Sequence, residues 1–162
     1  MNKKGFTLIE ITTVLGILGI MSAISIPSYI SWIPKNRLQT SVRHIYDDMN
    51  KAKFRAVNTN TVAVIVFSIP NNTYTAFLDS NGNWALDSGE TIISNGTVEK
   101  DVNIYGSTFT SNTCGFNNRG MAAAAPGRVY LTNPSGLFMG VDVNIAGNVR
   151  VISSKDGGST WS

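Results

Sequence analysis

The sequence predicts an α+β protein: a long N-terminal helix followed by antiparallel β-sheets. Two observations carry this. From Ile11 to Pro34 no charged residue occurs, and from Leu38 to Ala56 apolar residues recur at helical spacing. From Thr61 onward the pattern changes to short β-branched and aromatic runs broken by Asn and Gly.

The uncharged run is 24 residues long. At about 1.5 Å per residue a helix of that length spans roughly 36 Å, enough for a hydrocarbon core of about 30 Å. Pro27 lies inside the run and Pro34 ends it. A proline removes a helix hydrogen bond and crowds the preceding turn, so Pro27 is a candidate kink or a site of local melting. Gly16 and Gly19 add flexibility or permit close helix approach. The second stripe, Leu38, Val42, Ile45, Met49, Ala52 and Ala56, advances by fours and threes. It predicts an amphipathic half-helix packed on a sheet of the same chain. Arg43–Asp47, His44–Asp48 and Asp47–Lys51 lie four apart on the polar faces. The organisation read from these signals is 1–5 leader, 6–34 apolar helix, 35–58 amphipathic helix and 59–162 β-rich domain.

In the last of these, 61–68 predicts a buried strand, the Pro70-Asn71-Asn72 stretch a turn and 73–79 its antiparallel partner. Further strands are predicted at 90–93, 98–105, 128–132, 138–144 and 148–153, the last two as a hairpin broken at 146–148.

Charge and composition narrow the function. The net charge is +3. Setting aside Lys3 and Lys4 leaves 11 basic residues against 10 acidic, which argues against a nucleic-acid binder. The lone cysteine, Cys114, forms no internal disulfide and is expected to be buried; the lone histidine, His44, lies off the apolar stripe and is expected on the surface. No nucleophile–base pair, His/Cys metal spacing or phosphate-cradling glycine loop occurs, so an enzyme is not expected.

A glutamate, Glu10, stands where the apolar region begins, although a charge in hydrocarbon costs several kcal/mol. A secretory signal peptide, with Ala23-Ile24-Ser25 as its cleavage site, would place Pro27 too close and be interrupted by Glu10. The stretch Lys3-Lys4-Gly5-Phe6-Thr7-Leu8-Ile9-Glu10 instead resembles the processing signature of type IV pilins and the pseudopilins of type II secretion. That resemblance implies cleavage by prepilin peptidase between Gly5 and Phe6, N-methylation of Phe6, and a filament-assembly role for Glu10. It also implies a proline near the position of Pro27 where subunits lose helicity on packing, and a pilin-like fold. In the family, the carboxylate of an incoming subunit neutralises the terminal amine of a neighbour. Two charges that are costly apart in a low dielectric become tolerable together, and the pairing sets axial register. Pairing of Glu10 with its own Phe6 amine, or snorkelling to headgroups, stays open.

The early hairpin with "DSNGNWALDSGE", the segment "FNNRGMA" and the terminal "AGNVRV" resemble the GspH/FimT branch. That branch implies a minor, non-enzymatic subunit at or near a filament tip. Its partners would be other pilins, the peptidase and the inner-membrane assembly platform. Its location would be the bacterial inner membrane as a single-pass protein, with the C-terminal domain outside the cytoplasm, and then the pilus or pseudopilus.

Two candidate sites remain. Asp79, Asn81, Asn83, Asp87 and Glu90 fall at positions 1, 3, 5, 9 and 12 of a twelve-residue loop, with the Ala85 carbonyl at position 7. Those are the oxygen positions of an EF-hand-type calcium loop, except that Trp84 replaces the glycine at position 6 and flanking helices are not expected. A turn-rich Asn/Asp/Gly loop without metal is the alternative. Gly147-Asn148-Val149-Arg150 resembles the GRxR-type motif of FimT-like pilins that bind DNA, but Asn148 replaces its first arginine. Arg150, with Arg119 and Arg128, would supply phosphate contacts if this were a subunit for DNA uptake. A membrane-anchored binding domain without a filament is the third reading.

Overall fold

The computed structural model describes residues 5–162, the side chains of Pro27, Ser28 and Ser31 excepted. The chain divides into a unit ending at Ile33 and a unit Pro34–Ser162. Helix α1, Leu8–Thr59, begins in the first and ends in the second.

In the first unit, Leu8–Ile26 is long and apolar enough to cross a membrane, and none of it is buried by the protein's own fold. Its hydroxyls are satisfied inside the helix. Thr13 Oγ1 donates to the Ile9 carbonyl at 2.8 Å, Ser22 Oγ to Leu18 at 2.7 Å and Ser25 Oγ to Met21 at 2.9 Å. Such back-bonding lets polar side chains sit in an apolar medium without an orphaned donor.

The second unit holds the core. Leu38, Val42, Ile45, Met49, Ala52 and Ala56 are all buried, so the stripe read from the sequence is the packed face. Eight strands follow: β1 Val62–Ser68, β2 Thr73–Asp79, β3 Thr91–Thr97, β4 Asn103–Ser107, β5 Thr113–Phe116, β6 Gly127–Thr132, β7 Phe138–Val143 and β8 Val149–Ser154. They form two four-stranded antiparallel sheets, β3-β2-β1-β5 and β4-β6-β7-β8. Ala63, Ile65, Phe67 and Ala76 from the first sheet, and Val129, Leu131, Val141 and Val143 from the second, join the helix stripe in one cluster. Alternate residues on each strand supply it, as the two-residue side-chain period requires.

Tyr74 reaches from β2 across β3 and donates to Asp48 Oδ2 at 2.8 Å. Its ring lies on Gly96, the directly paired residue, where any Cβ would collide with it. Asp48 also accepts from Lys51 at 2.8 Å. The pairs His44–Asp48 and Asp47–Lys51, four apart in the sequence, therefore give way to Lys51–Asp48, and Arg43–Asp47 does not form among the described residues. The other departures lie in loops and short strands. The strand expected at 98–105 begins only at Asn103. Val98 and Val102 are buried at either end of a turn closed by Val102 N–H on the Glu99 carbonyl at 3.0 Å, with Asp101 at φ +65°. Strand β5 was not expected. Its four residues lie among turn formers, and partners distant in sequence make it a strand. His44 is exposed and Cys114 buried, as expected; burial pushes the Cys114 thiol up to about 12.

Candidate functional site

At the N-terminus Gly5, Phe6 and Thr7 are non-helical and exposed, and α1 starts at Leu8. Thr7 Oγ1 accepts the Glu10 backbone N–H at 3.3 Å, and the Thr7 carbonyl accepts the Ile11 N–H at 3.3 Å. Thr7 is thus the N-cap and Glu10 the third helical residue. A carboxylate here also faces the positive end of the helix dipole. The spacing Thr-x-x-Glu carried this signal in the sequence. Phe6 is 79% exposed, and no atom approaches Gly5 within contact distance of a Cβ. The structure therefore places Gly5, Phe6 and Glu10 within one short segment that no other part of the described residues covers. Lys3 and Lys4 lie outside the described residues. Helix α1 runs through Pro27, whose side chain, where a kink is expected, lies outside the described residues.

The loop 79–90 folds over the outer face of the first sheet. Trp84 takes the left-handed conformation, φ +64°, that its glycine counterpart in a calcium loop would supply. Left-handed backbone costs a residue with a Cβ about 1–2 kcal/mol. Packing offsets that cost: a Cβ on Gly115 would come within 2.7 Å of the indole, so the ring lies directly on β5. Val64 and Phe77, paired neighbours on that outer face, are fully buried. Within the loop the Asp79 carboxylate accepts Gly82 N–H at 2.7 Å and Trp84 N–H at 3.1 Å. Asn81 Oδ1 accepts Asn83 N–H at 3.1 Å, and Asn83 Oδ1 accepts Ala85 N–H at 2.8 Å. Glu90 accepts Ser80 N–H at 2.9 Å and Asp87 N–H at 3.2 Å. Asn81 and Asn83 both donate to Asp87 Oδ2, and these bonds hold the Asp87 carboxyl below the usual carboxylate range. Asn81 and Asn83 thus converge on Asp87, while the Asp79 and Glu90 carboxylates are turned onto backbone N–H groups, and among the described residues no three acidic side chains stand close enough together to hold a metal.

The "FNNRGMA" and "AGNVRV" stretches meet at the end of α1. Ala122 N–H donates to the Ile145 carbonyl at 3.3 Å, and Lys53 Nζ donates to the Gly147 carbonyl at 2.9 Å. Gly147, at φ +76°, has no room for a Cβ against the Gly120 backbone. This part of the two stretches is a structural joint. Arg150 and Arg128, offered as phosphate contacts, both pair with one carboxylate. Arg128 Nε lies 2.9 Å from Asp142 Oδ1 and Arg150 Nη2 lies 2.8 Å from Asp142 Oδ2. The three are cross-strand neighbours on β6, β7 and β8, an alignment the linear sequence does not display. Burial raises the Asp142 carboxyl, but the two guanidiniums together outweigh it and hold it low. Arg119 does not line the groove beside that pair.

Comparison with known proteins decides the family. The description "Type II transport protein GspH" matches residues 41–148, and the prokaryotic N-terminal methylation motif matches residues 1–26. The chain belongs to the GspH family. A relative, the pilin-like protein PilA1 of Thermus thermophilus, is 32% identical over 93 residues, covering 56% of this chain and 57% of the relative. The chain thus spans less than two thirds of that relative's length. Among solved structures, the minor pseudopilin EpsH of the Vibrio cholerae type 2 secretion system superposes with a TM-score of 0.58 at 9% identity, covering 74% of this chain and 99% of EpsH. The type IV minor pilin FimU of Pseudomonas aeruginosa gives 0.54 at 12%, covering 79% and 94%. At such identities the likeness shows the fold, which is the pilin-like α+β arrangement expected from the sequence. A GspH-family chain with a methylation motif and an apolar N-terminal helix is a structural subunit of the pseudopilin or pilin kind, not an enzyme.

Proposed function

We propose that this GspH-family subunit is cut between Gly5 and Phe6 by prepilin peptidase, methylated at Phe6, and built into a helical filament. It starts as a single-pass protein of the inner membrane, with its folded domain outside the cytoplasm and the assembly platform as its partner. It ends at or near the tip of a pseudopilus or pilus. The observation that supports this reading best is the geometry of the N-terminus. The scissile bond sits in non-helical, exposed chain directly ahead of an apolar helix, and Glu10 is in that helix's first turn. Cleavage there creates an ammonium at Phe6. The Glu10 carboxylate of the next subunit is the group that would meet it, since either charge alone is costly in a low dielectric. Contacts of this head-to-tail kind do not close and so generate filaments.

Glu10→Ala tests the assembly role. The variant should be processed like the wild type, because the cut lies four residues away, yet its amount in sheared filaments should fall about ten-fold or more, the scale of losing a desolvated charge pair. Wild-type amounts in the filament would end this reading of Glu10.

A second reading concerns the 79–90 loop, which we infer to be a calcium site. What favours it is Trp84. The residue that broke the sequence pattern adopts the backbone conformation the pattern needs.

A further inference from the structure

We propose that the groove beside Arg128, Asp142 and Arg150 receives a carboxylate from an acidic loop of a neighbouring subunit. The three residues form one cross-strand row. Both Asp142 oxygens are already taken, one by each arginine. Asp142 is buried, with only 10% of its side chain exposed, while the Arg128 and Arg150 side chains keep 42% and 65%. Two cations therefore share one anion and a unit of positive charge is left at the surface. Arg150 Nε and Nη1 have no protein acceptor among the described residues. The groove itself, about 580 Å³, is lined by Thr108, Pro126, Val143, Asn144 and Ile145 besides the row, and none of those carries a charge. A second carboxylate would complete an alternating Arg–Asp–Arg–carboxylate set, with the planar fork geometry that guanidinium favours.

The surroundings select the partner's chemistry. Ile145 is 68% exposed at the rim, so the groove has an apolar shoulder beside its charge. A nucleic-acid backbone needs a row of cations to gain from counterion release, and this site has a surplus of one. An acidic side chain next to an apolar one on a folded protein matches both the charge and the shoulder. That the protein is a neighbouring pilin-type subunit rests on the filament reading above.

The test uses the full-length chain in cells, with sheared filaments and membrane fractions quantified together. Arg150→Glu should lower incorporation about five-fold or more at unchanged membrane abundance, the scale of a reversed interfacial charge. Arg150→Lys should lose less than Arg150→Glu, since the charge survives while the planar fork does not. Asp142→Asn discriminates a docking role from an internal joint. It frees both guanidiniums, so incorporation should hold or rise, whereas a purely internal ladder would suffer as much from this change as from Arg150→Glu. If Arg150→Glu lowers membrane abundance, Arg150→Gln carries the same comparison. Unchanged incorporation of the charge-altered Arg150 variant, or equal loss in Asp142→Asn, overturns the proposal. So does retardation of a short DNA duplex by the full-length protein in detergent micelles that Arg150→Glu abolishes. Absence of the wild-type chain itself from filaments defeats the filament reading, and this proposal with it; wild-type incorporation with unaffected variants defeats this proposal alone.

Discussion

Trp84 shows how one residue can look wrong in a sequence and fit in a fold. A calcium-type loop wants glycine at its sixth position because the chain turns through positive φ there. Trp84 makes that turn at φ +64°, and its ring covers Val64 and Phe77 against Gly115. Burying most of that aromatic surface offsets the local backbone cost. The ring is also a reporter attached to the loop it closes. Calcium at about ten to a hundred times its dissociation constant stabilises a folded protein by about 1.4–2.7 kcal/mol. For a domain of this size that raises the melting temperature by several degrees. We expect that rise at millimolar calcium, with a change in Trp84 emission, and expect Asp79→Ala to abolish both. No response at concentrations well above the millimolar range typical of extracellular modules would remove the calcium site. The Asn/Asp spacing was legible in the sequence. The indole seat was not, because Trp84 and Gly115 meet only through the pairing of β1 with β5.

Elements with strong local periodicity were legible and those made by distant partners were not. The helix stripe is read from spacing alone, and all six of its residues are buried. The β1–β2 hairpin follows from two β-branched runs and an asparagine turn, in which Asn72 holds φ +55° and ties the hairpin to β4 by accepting the Ile104 N–H at 2.8 Å. Strand β5 and the 98–102 turn depend on pairing and burial fixed elsewhere in the chain. The C-terminal return was also missed. After β8, Asp156 Oδ1 accepts from Ser154 Oγ and the Thr160 N–H, and Asp156 Oδ2 accepts from Thr160 Oγ1. Trp161 then stacks on Tyr130 at 4.6 Å, and Ser162 pairs with Ser153. The Ser154 hydroxyl, followed by the Thr160 hydroxyl and amide, holds the Asp156 carboxyl well below its ordinary value of 3.8. A carboxyl lowered by folding contributes order that is full above that value and lost as pH falls below it. Below about pH 4, the Trp161 indole NMR signal should therefore move toward its unfolded position before the rest of the domain unfolds. Asp156→Asn should show the loosened signal at neutral pH and no titration. A Trp161 signal that stays put to the pH of global unfolding would contradict this.

At the scale of the whole molecule, two physical problems are solved separately. The folded domain buries its own apolar stripe against two sheets and needs nothing else to cover it. The stretch Leu8–Ile26 buries none of its surface within the chain and must find lipid or other helices. On the proposed reading, such a subunit is held in a membrane and then transferred, its folded domain unchanged, into a bundle of like helices. That transfer depends on a charge pair that another copy completes, and so on a cut before Phe6 rather than after the apolar run. The most direct check is intact mass spectrometry with N-terminal fragmentation of the protein purified from its native membranes. The account predicts a mature chain that begins at Phe6 and carries one methyl group on its α-amine. A chain that retains residues 1–5, or one that begins beyond the apolar helix, would contradict it.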